Sequence, residues 1–147
     1  MIKPLRVGHV VLKVRELDRS LEFYRDVLGF TVSSEMSNVM IFLTATGESH
    51  HDLGLLRVGD SAPSPLPNAV GLYHVAIQLA DWDAVKHARD VLNERGLLRG
   101  TADHGVSRSL YTADPDGNEI ELFCDAPREE WEGRVDEVMT VRPLSAD

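Results

Sequence analysis

His9, His74 and Glu121 are side chains that bind divalent metals, and the chain sets them in a repeated frame. Gly8-His9-Val10-Val11-Leu12-Lys13-Val14 recurs as Tyr73-His74-Val75-Ala76-Ile77-Gln78-Leu79, with the histidines 74 − 9 = 65 positions apart. Each stretch is an apolar, strand-like run interrupted by one imidazole. Near the end of the second copy, Asp114-Pro-Asp-Gly-Asn-Glu-Ile-Glu121-Leu adds a carboxylate. A lone histidine on such a strand is more often a hydrogen-bonded core residue. A glutamate inside Ile-Glu-Leu is costly to bury unpaired. Two matched histidines and that glutamate explain one another as an open-faced, 2-His-1-carboxylate site of the non-haem Fe(II) type. The donor set also suits Mn, Co, Ni or Zn.

The elements that must carry these residues repeat too. A strand near 6–13 leads to a helix capped by Asp18 and running to about Leu28, with Leu17, Leu21, Tyr24 and Leu28 in one stripe. Gly29 stops it. Strands near 30–36, 39–45 and 52–58 follow, and the three prolines between Gly59 and Asn68 mark a linker. In the second copy a strand near 72–80 leads through Asp81 into a helix to about Arg95. Val85, Ala88, Val91 and Leu92 face inward, and Gly96 ends the helix. Strands near 99–103, 107–113 and 118–124 follow, with a hairpin turn at Asp116-Gly117-Asn118. Each copy is therefore βαβββ. The class expected is α+β, two modules (about 5–60 and 70–125) forming a curled sheet around a metal-containing cavity. Residues 1–125 are read as a single domain and 126–147 as a C-terminal tail. In that tail Pro127-Arg-Glu-Glu-Trp131 suggests a short capped turn, and Val138-Met-Thr-Val141 an extended segment covering an edge or the cavity mouth.

Strand alternation sets which way the candidate ligands point. Val7, His9 and Val11 share one face, and His74, Ala76 and Gln78 share another. The greasier faces pack on helices, so both histidines turn toward the cavity. Ile120 and Leu122 face the helix, which turns Glu121 the same way. Aligning Asp52-Leu-Gly54-Leu-Leu56 with Glu119-Ile-Glu121-Leu-Phe123 puts Gly54 where a second carboxylate would stand. Glycine cannot ligate, so coordination positions stay open. His51, His104 and Tyr111 lie near this site in the pattern. An imidazole takes a phenol proton near neutral pH, and a tyrosine hydroxyl stabilises a developing oxyanion. Strict alternation aims His50, not His51, at the cavity, so His51 needs a bulge or a pre-strand turn. His87 falls on the polar side of its helix.

Composition narrows the function classes. A chain of 147 residues buries roughly 68–70% of its unfolded surface, enough for a core. Net charge of −9 offers no basic stripe for nucleic acid. No run of about 18 apolar residues predicts a membrane span, and the N-terminus has no signal-peptide pattern. Cys124 is the only cysteine, which fits a reducing, cytoplasmic location.

Gly8-His9-Val-Val-Leu, Tyr24-Arg-Asp-Val-Leu-Gly-Phe30, Tyr73-His74-Val-Ala and Asp114-Pro-Asp-Gly-Asn-Glu-Ile-Glu121-Leu resemble the vicinal oxygen chelate superfamily over about residues 5–125. That superfamily includes glyoxalase I, bleomycin-resistance proteins, fosfomycin-inactivating transferases and extradiol dioxygenases. His50-His51-Asp52-Leu, Asp103-His104-Gly-Val-Ser-Arg-Ser-Leu-Tyr111-Thr-Ala-Asp and Pro127-Arg-Glu-Glu-Trp131 are most similar to its catechol 2,3-dioxygenase branch. The resemblance implies that His9, His74 and Glu121 bind Fe(II), that His51 is the acid/base, and that His104 and Tyr111 contact substrate and oxygen. Many members of that branch carry two such domains, and this chain carries one. The expected function is extradiol cleavage of a catecholic aromatic substrate with O₂, by a homodimer. The alternatives are a non-oxidative glyoxalase, isomerase or thiol-transferase type of enzyme, or a drug-binding resistance protein without turnover. Gly54 argues against a four-ligand version of the former, and the intact triad against the latter.

Overall fold

The computed structural model describes residues 1–144; positions 145–147 of the expected tail lie outside the described residues. The chain divides into two compact units, Met1–Val70 with Asp114–Asn118, and Gly71–Ala113 with Glu119–Asp147. Unit one contains β1 (Val10–Val14), α1 (Leu17–Tyr24), β2 (Thr31–Met36), β3 (Met40–Thr44) and β4 (Leu53–Arg57). Its sheet runs β1-β4-β3-β2, with β1 parallel to β4 and the other pairs antiparallel. Unit two contains β5 (His74–Gln78), α2 (Trp82–Glu94), β6 (Gly100–Asp103), β7 (Ser107–Ala113) and β8 (Glu119–Asp125), in the matching order β5-β8-β7-β6. Two short helices follow, α3 (Arg128–Trp131) and α4 (Val135–Val138). The class is α+β and each copy is βαβββ, as the repeat predicts. No helix among the described residues is long and apolar enough to cross a membrane.

In each unit one sheet face carries the core. Leu12, Val14, Leu43, Leu53 and Leu55 are buried with Leu17, Leu21 and Tyr24 of α1. Leu110, Ile120, Leu122 and Cys124 are buried with Val85 and Leu92 of α2, while Ala88 and Val91 are half-buried at the margin. The other face of β1 is open: Val11 and Lys13 are exposed. The alternation expected from pattern therefore holds, and the face opposite each helix is left for chemistry.

Boundaries differ where a partner strand ends. The strand expected near 6–13 starts at Val10, which pairs with Leu53 and donates its N–H to the Asp52 carbonyl. Beyond Asp52 the chain bends away, so His9 has no ladder partner and stands just outside β1, exposed. Likewise β5 starts at His74, opposite the first residue of β8. Asp18 is not the cap of α1. Glu16 is at that position, and its carboxylate is held by Arg57 instead of the helix N-terminus. The regular helix stops at Tyr24; Leu28 follows in a wide turn whose N–H reaches the Phe23 carbonyl, and Gly29, at φ +81°, turns the chain out. Asp81 does cap α2, accepting from the Ala84 N–H at 2.9 Å. In the tail Val138 ends a helical turn instead of opening a strand, and the extended contact is one antiparallel bridge, Asp103 with Arg142, on the edge strand β6.

The turn of residues 114–118 is tied within unit one. The Asp114 carboxylate, 2% exposed, accepts from the Tyr24 hydroxyl, the Asp116 and Asn118 N–H groups and Asn118 Nδ2. Four donors compensate its burial. Arg15 and Arg19 both pair with Asp116, at 2.9 and 2.6 Å.

Candidate active site

The polar residues of unit two converge on Glu121. Parallel register places Ala76 beside Glu121, and antiparallel register places Tyr111 on its other side. His74, two residues before Ala76, shares that face. Its Nε2 lies 3.0 Å from Glu121 Oε2. The ring's second nitrogen, Nδ1, is 3.5 Å from Glu119 Oε1, without the alignment of a hydrogen bond, and otherwise buried with no partner. The Tyr111 hydroxyl is 2.8 Å from His104 Nε2 and 3.4 Å from Glu121 Oε1. Burial first, then the Glu121 charge, push the Tyr111 phenol up, so it stays a protonated donor.

Unit one holds the second group. The rings of His9 and His51 stand 4.3 Å apart, and His51 rests on Phe42 at 4.9 Å. His50 is farther from His9, at 6.3 Å. The required pre-strand turn is present: residues 45–52 form a loop ahead of β4. Asp52 locks its end, accepting from Ser49 Oγ at 2.6 Å, Ala45 N at 2.8 Å and Thr44 Oγ1 at 3.1 Å. Those bonds hold the Asp52 carboxyl below its ordinary pKa. Desolvation, then the neighbouring His9 and His50, push His51 down, so its ring is neutral at pH 7 and able to accept a proton.

The structure thus brings His74, Glu121, Tyr111 and His104 together in unit two, and His9 with His51 in unit one. His87 is exposed, as expected. No group of three or more His, Cys, Asp or Glu side chains placed to hold a metal occurs among the described residues. The pair in unit two still fits one. Metal–nitrogen and metal–oxygen bonds of about 2.0–2.2 Å put two donors at right angles roughly 3 Å apart, the separation of His74 Nε2 and Glu121 Oε2. Two residues carried no expectation. Glu119 lies on the Glu121 face, two positions earlier, so alternation alone would have found it. Thr140, whose carbonyl is 3.2 Å from His104 Nδ1, is 36 positions away and had no local signal.

Comparisons with known proteins bear on the family of the chain. The profile of the Glyoxalase/Bleomycin resistance protein/Dioxygenase superfamily matches residues 6–122. The chain is 39% identical to a catechol-2,3-dioxygenase of Bacillus subtilis over 130 residues, 86% of this chain and 44% of that protein. It is 29% identical to an iron-dependent extradiol dioxygenase of Rhodococcus jostii, covering 88% of this chain and 46% of that one. The chain therefore spans about half the length of these relatives. Among solved structures, a glyoxalase/dioxygenase from Nostoc punctiforme superposes with a TM-score of 0.70 at 23% identity, covering 86% of this chain and 97% of that one, a likeness of fold. Two βαβββ units, a histidine opening β5 against a glutamate of β8, and a profile match over most of the chain place this protein in the Glyoxalase/Bleomycin resistance protein/Dioxygenase superfamily.

Proposed function

We propose that the chain is a metal-dependent extradiol ring-cleaving dioxygenase acting on a catecholic aromatic substrate with O₂, with His9, His74 and Glu121 holding Fe(II). The observation that carries this reading is the 3.0 Å contact between His74 Nε2 and Glu121 Oε2, bordered by the Tyr111–His104 pair. When bound, the metal supplies Lewis acidity and the electron path that joins a catechol to O₂. Both oxygen atoms enter the opened product, so no external reductant is consumed. His51, neutral at pH 7, takes a catechol hydroxyl proton and returns it later. Tyr111 donates its hydrogen bond to charge developing on oxygen. Before that charge forms, His104 accepts the one phenol proton and holds the Tyr111 hydroxyl in place; the proton turns to the oxygen as its charge develops.

In this reading residues 1–125 act as one functional domain, 126–147 as its tail, and the protein works in the cytoplasm as a homodimer. Exposed Val7, Leu72 and Tyr73 supply apolar surface for pairing. Light scattering that finds only monomer at micromolar concentration would count against the dimer. For the reaction, the test is protein purified without oxygen, loaded with Fe(II) and offered a panel of catechols. Oxygen uptake matched one-to-one by a yellow ring-opened product is expected. No uptake with any catechol would remove the dioxygenase reading and favour the non-oxidative chemistries of the superfamily.

A further inference from the structure

His104 is gripped from the tail. The Arg142 N–H donates to the Asp103 carbonyl at 2.9 Å, and the Asp103 N–H donates back at 2.8 Å. The Thr140 N–H donates to the His104 carbonyl at 3.0 Å. Gly105, at φ +75°, lets the strap lie close, because a Cβ there would overlap the Val138 carbonyl oxygen. The strap then presents the Thr140 carbonyl to His104 Nδ1 at 3.2 Å.

A carbonyl oxygen only accepts, so Nδ1 must carry the proton. In a neutral imidazole that leaves Nε2 as an acceptor. Nε2 is 2.8 Å from the Tyr111 hydroxyl, which therefore donates to it. A phenol has one proton, so the longer approach to Glu121 Oε1, at 3.4 Å, loses it. The opposite tautomer would set the Nδ1 lone pair against the Thr140 carbonyl and turn the phenol proton toward Glu121. We infer that residues 138–142 are a positioning strap: the Thr140 carbonyl selects the Nδ1–H form of His104 and so aims the Tyr111 proton at His104, leaving Glu121 Oε1 free. The catalytic value of this rests on the dioxygenase reading; the tautomer itself does not.

The test is long-range ¹H–¹⁵N correlation of the histidine rings in the full chain without added metal. It is run near pH 8.5, above the ordinary imidazole pKa of about 6.5, with His104→Gln for assignment. The wild type should show His104 as the Nδ1–H tautomer. Thr140→Val, which keeps the peptide group, should show the same. Gly105→Ala and Thr140→Pro, which push the strap off or remove its bond to His104, should give a mixture with Nε2–H. A wild type in the Nε2–H form overturns the inference. So does an unchanged Nδ1–H signal in both folded strap variants. Should those variants fail to fold, the wild-type and Thr140→Val spectra still decide. Nδ1–H in a protein that takes up no oxygen with any catechol would keep the strap and sink the dioxygenase.

Discussion

The two units share a topology, and the clearest difference lies at one register position. In unit two, Glu121 lies between Ala76 and Tyr111. In unit one, Gly54 lies between Val11 and Phe42. A side chain at Gly54 would be crowded: a Cβ there would stand 3.0 Å from the Met40 methyl and 3.1 Å from Val11 Cγ2, and these neighbours would have to give way. Two residues earlier the contrast continues. Glu119 faces His74 Nδ1 across 3.5 Å, while Asp52 turns its carboxylate into the loop that carries His51. One copy spends its carboxylates beside the histidine. Its sibling spends one on loop geometry and replaces the other with packed hydrocarbon. The frame is shared, and the facing positions differ.

The strongest break in this comparison is loss of the unit-two histidine. His74→Ala should abolish metal binding, by elemental analysis, and with it activity; metal content equal to wild type would end the ligand assignment. His9→Ala is expected to do the same from unit one. Second in size, His51→Phe should keep the metal and lower kcat by about 10²–10⁴, read in oxygen uptake at saturating catechol. Full activity there would move the proton transfer to His50 or His104.

Installing the missing carboxylate sharpens the asymmetry. Gly54→Glu should destabilise by about 1–3 kcal/mol through overpacking and add no metal affinity, read by denaturant midpoint and metal titration. Val11→Ala in the same chain should recover part of the loss. Tyr111→Phe removes one hydrogen bond and no proton shuttle, so kcat should fall by about tenfold, the scale of a single hydrogen bond. The smallest effect concerns acid stability. Asp52 has a lowered folded pKa, so its contribution is complete above the ordinary aspartate pKa of about 3.9 and is lost as pH falls through the lowered value. The stability gap between wild type and Asp52→Asn should be level near neutral pH and close below pH of about 4. A gap that widens toward acid would contradict the hydrogen bonds assigned to Asp52.

Much of this was legible in the residues because it depends on short-range rules. The alternation that sets Ile120 and Leu122 opposite Glu121 and the Asp81 cap are local, and the period of 65 between His9 and His74 is read directly off the chain. So is the alignment of Gly54 with Glu121, which the strand registers reproduce. What sequence could not settle depends on partners distant in the chain. The start of β1 at Val10 follows from where β4 bends at Asp52. The helix α1 starts one residue before Asp18, with Glu16 at the cap position and its carboxylate held by Arg57, 41 positions away. That the His51 ring lies nearer His9 than the His50 ring does goes with a loop tied by Asp52 and a ring resting on Phe42. The polarity of the His104–Tyr111 pair follows from a carbonyl 36 positions downstream. Side-chain type and spacing determined which atoms were available for chemistry. Only tertiary structure decided which lone pair faces which proton, because hydrogen-bond direction is set by the neighbour across the fold and not along the chain.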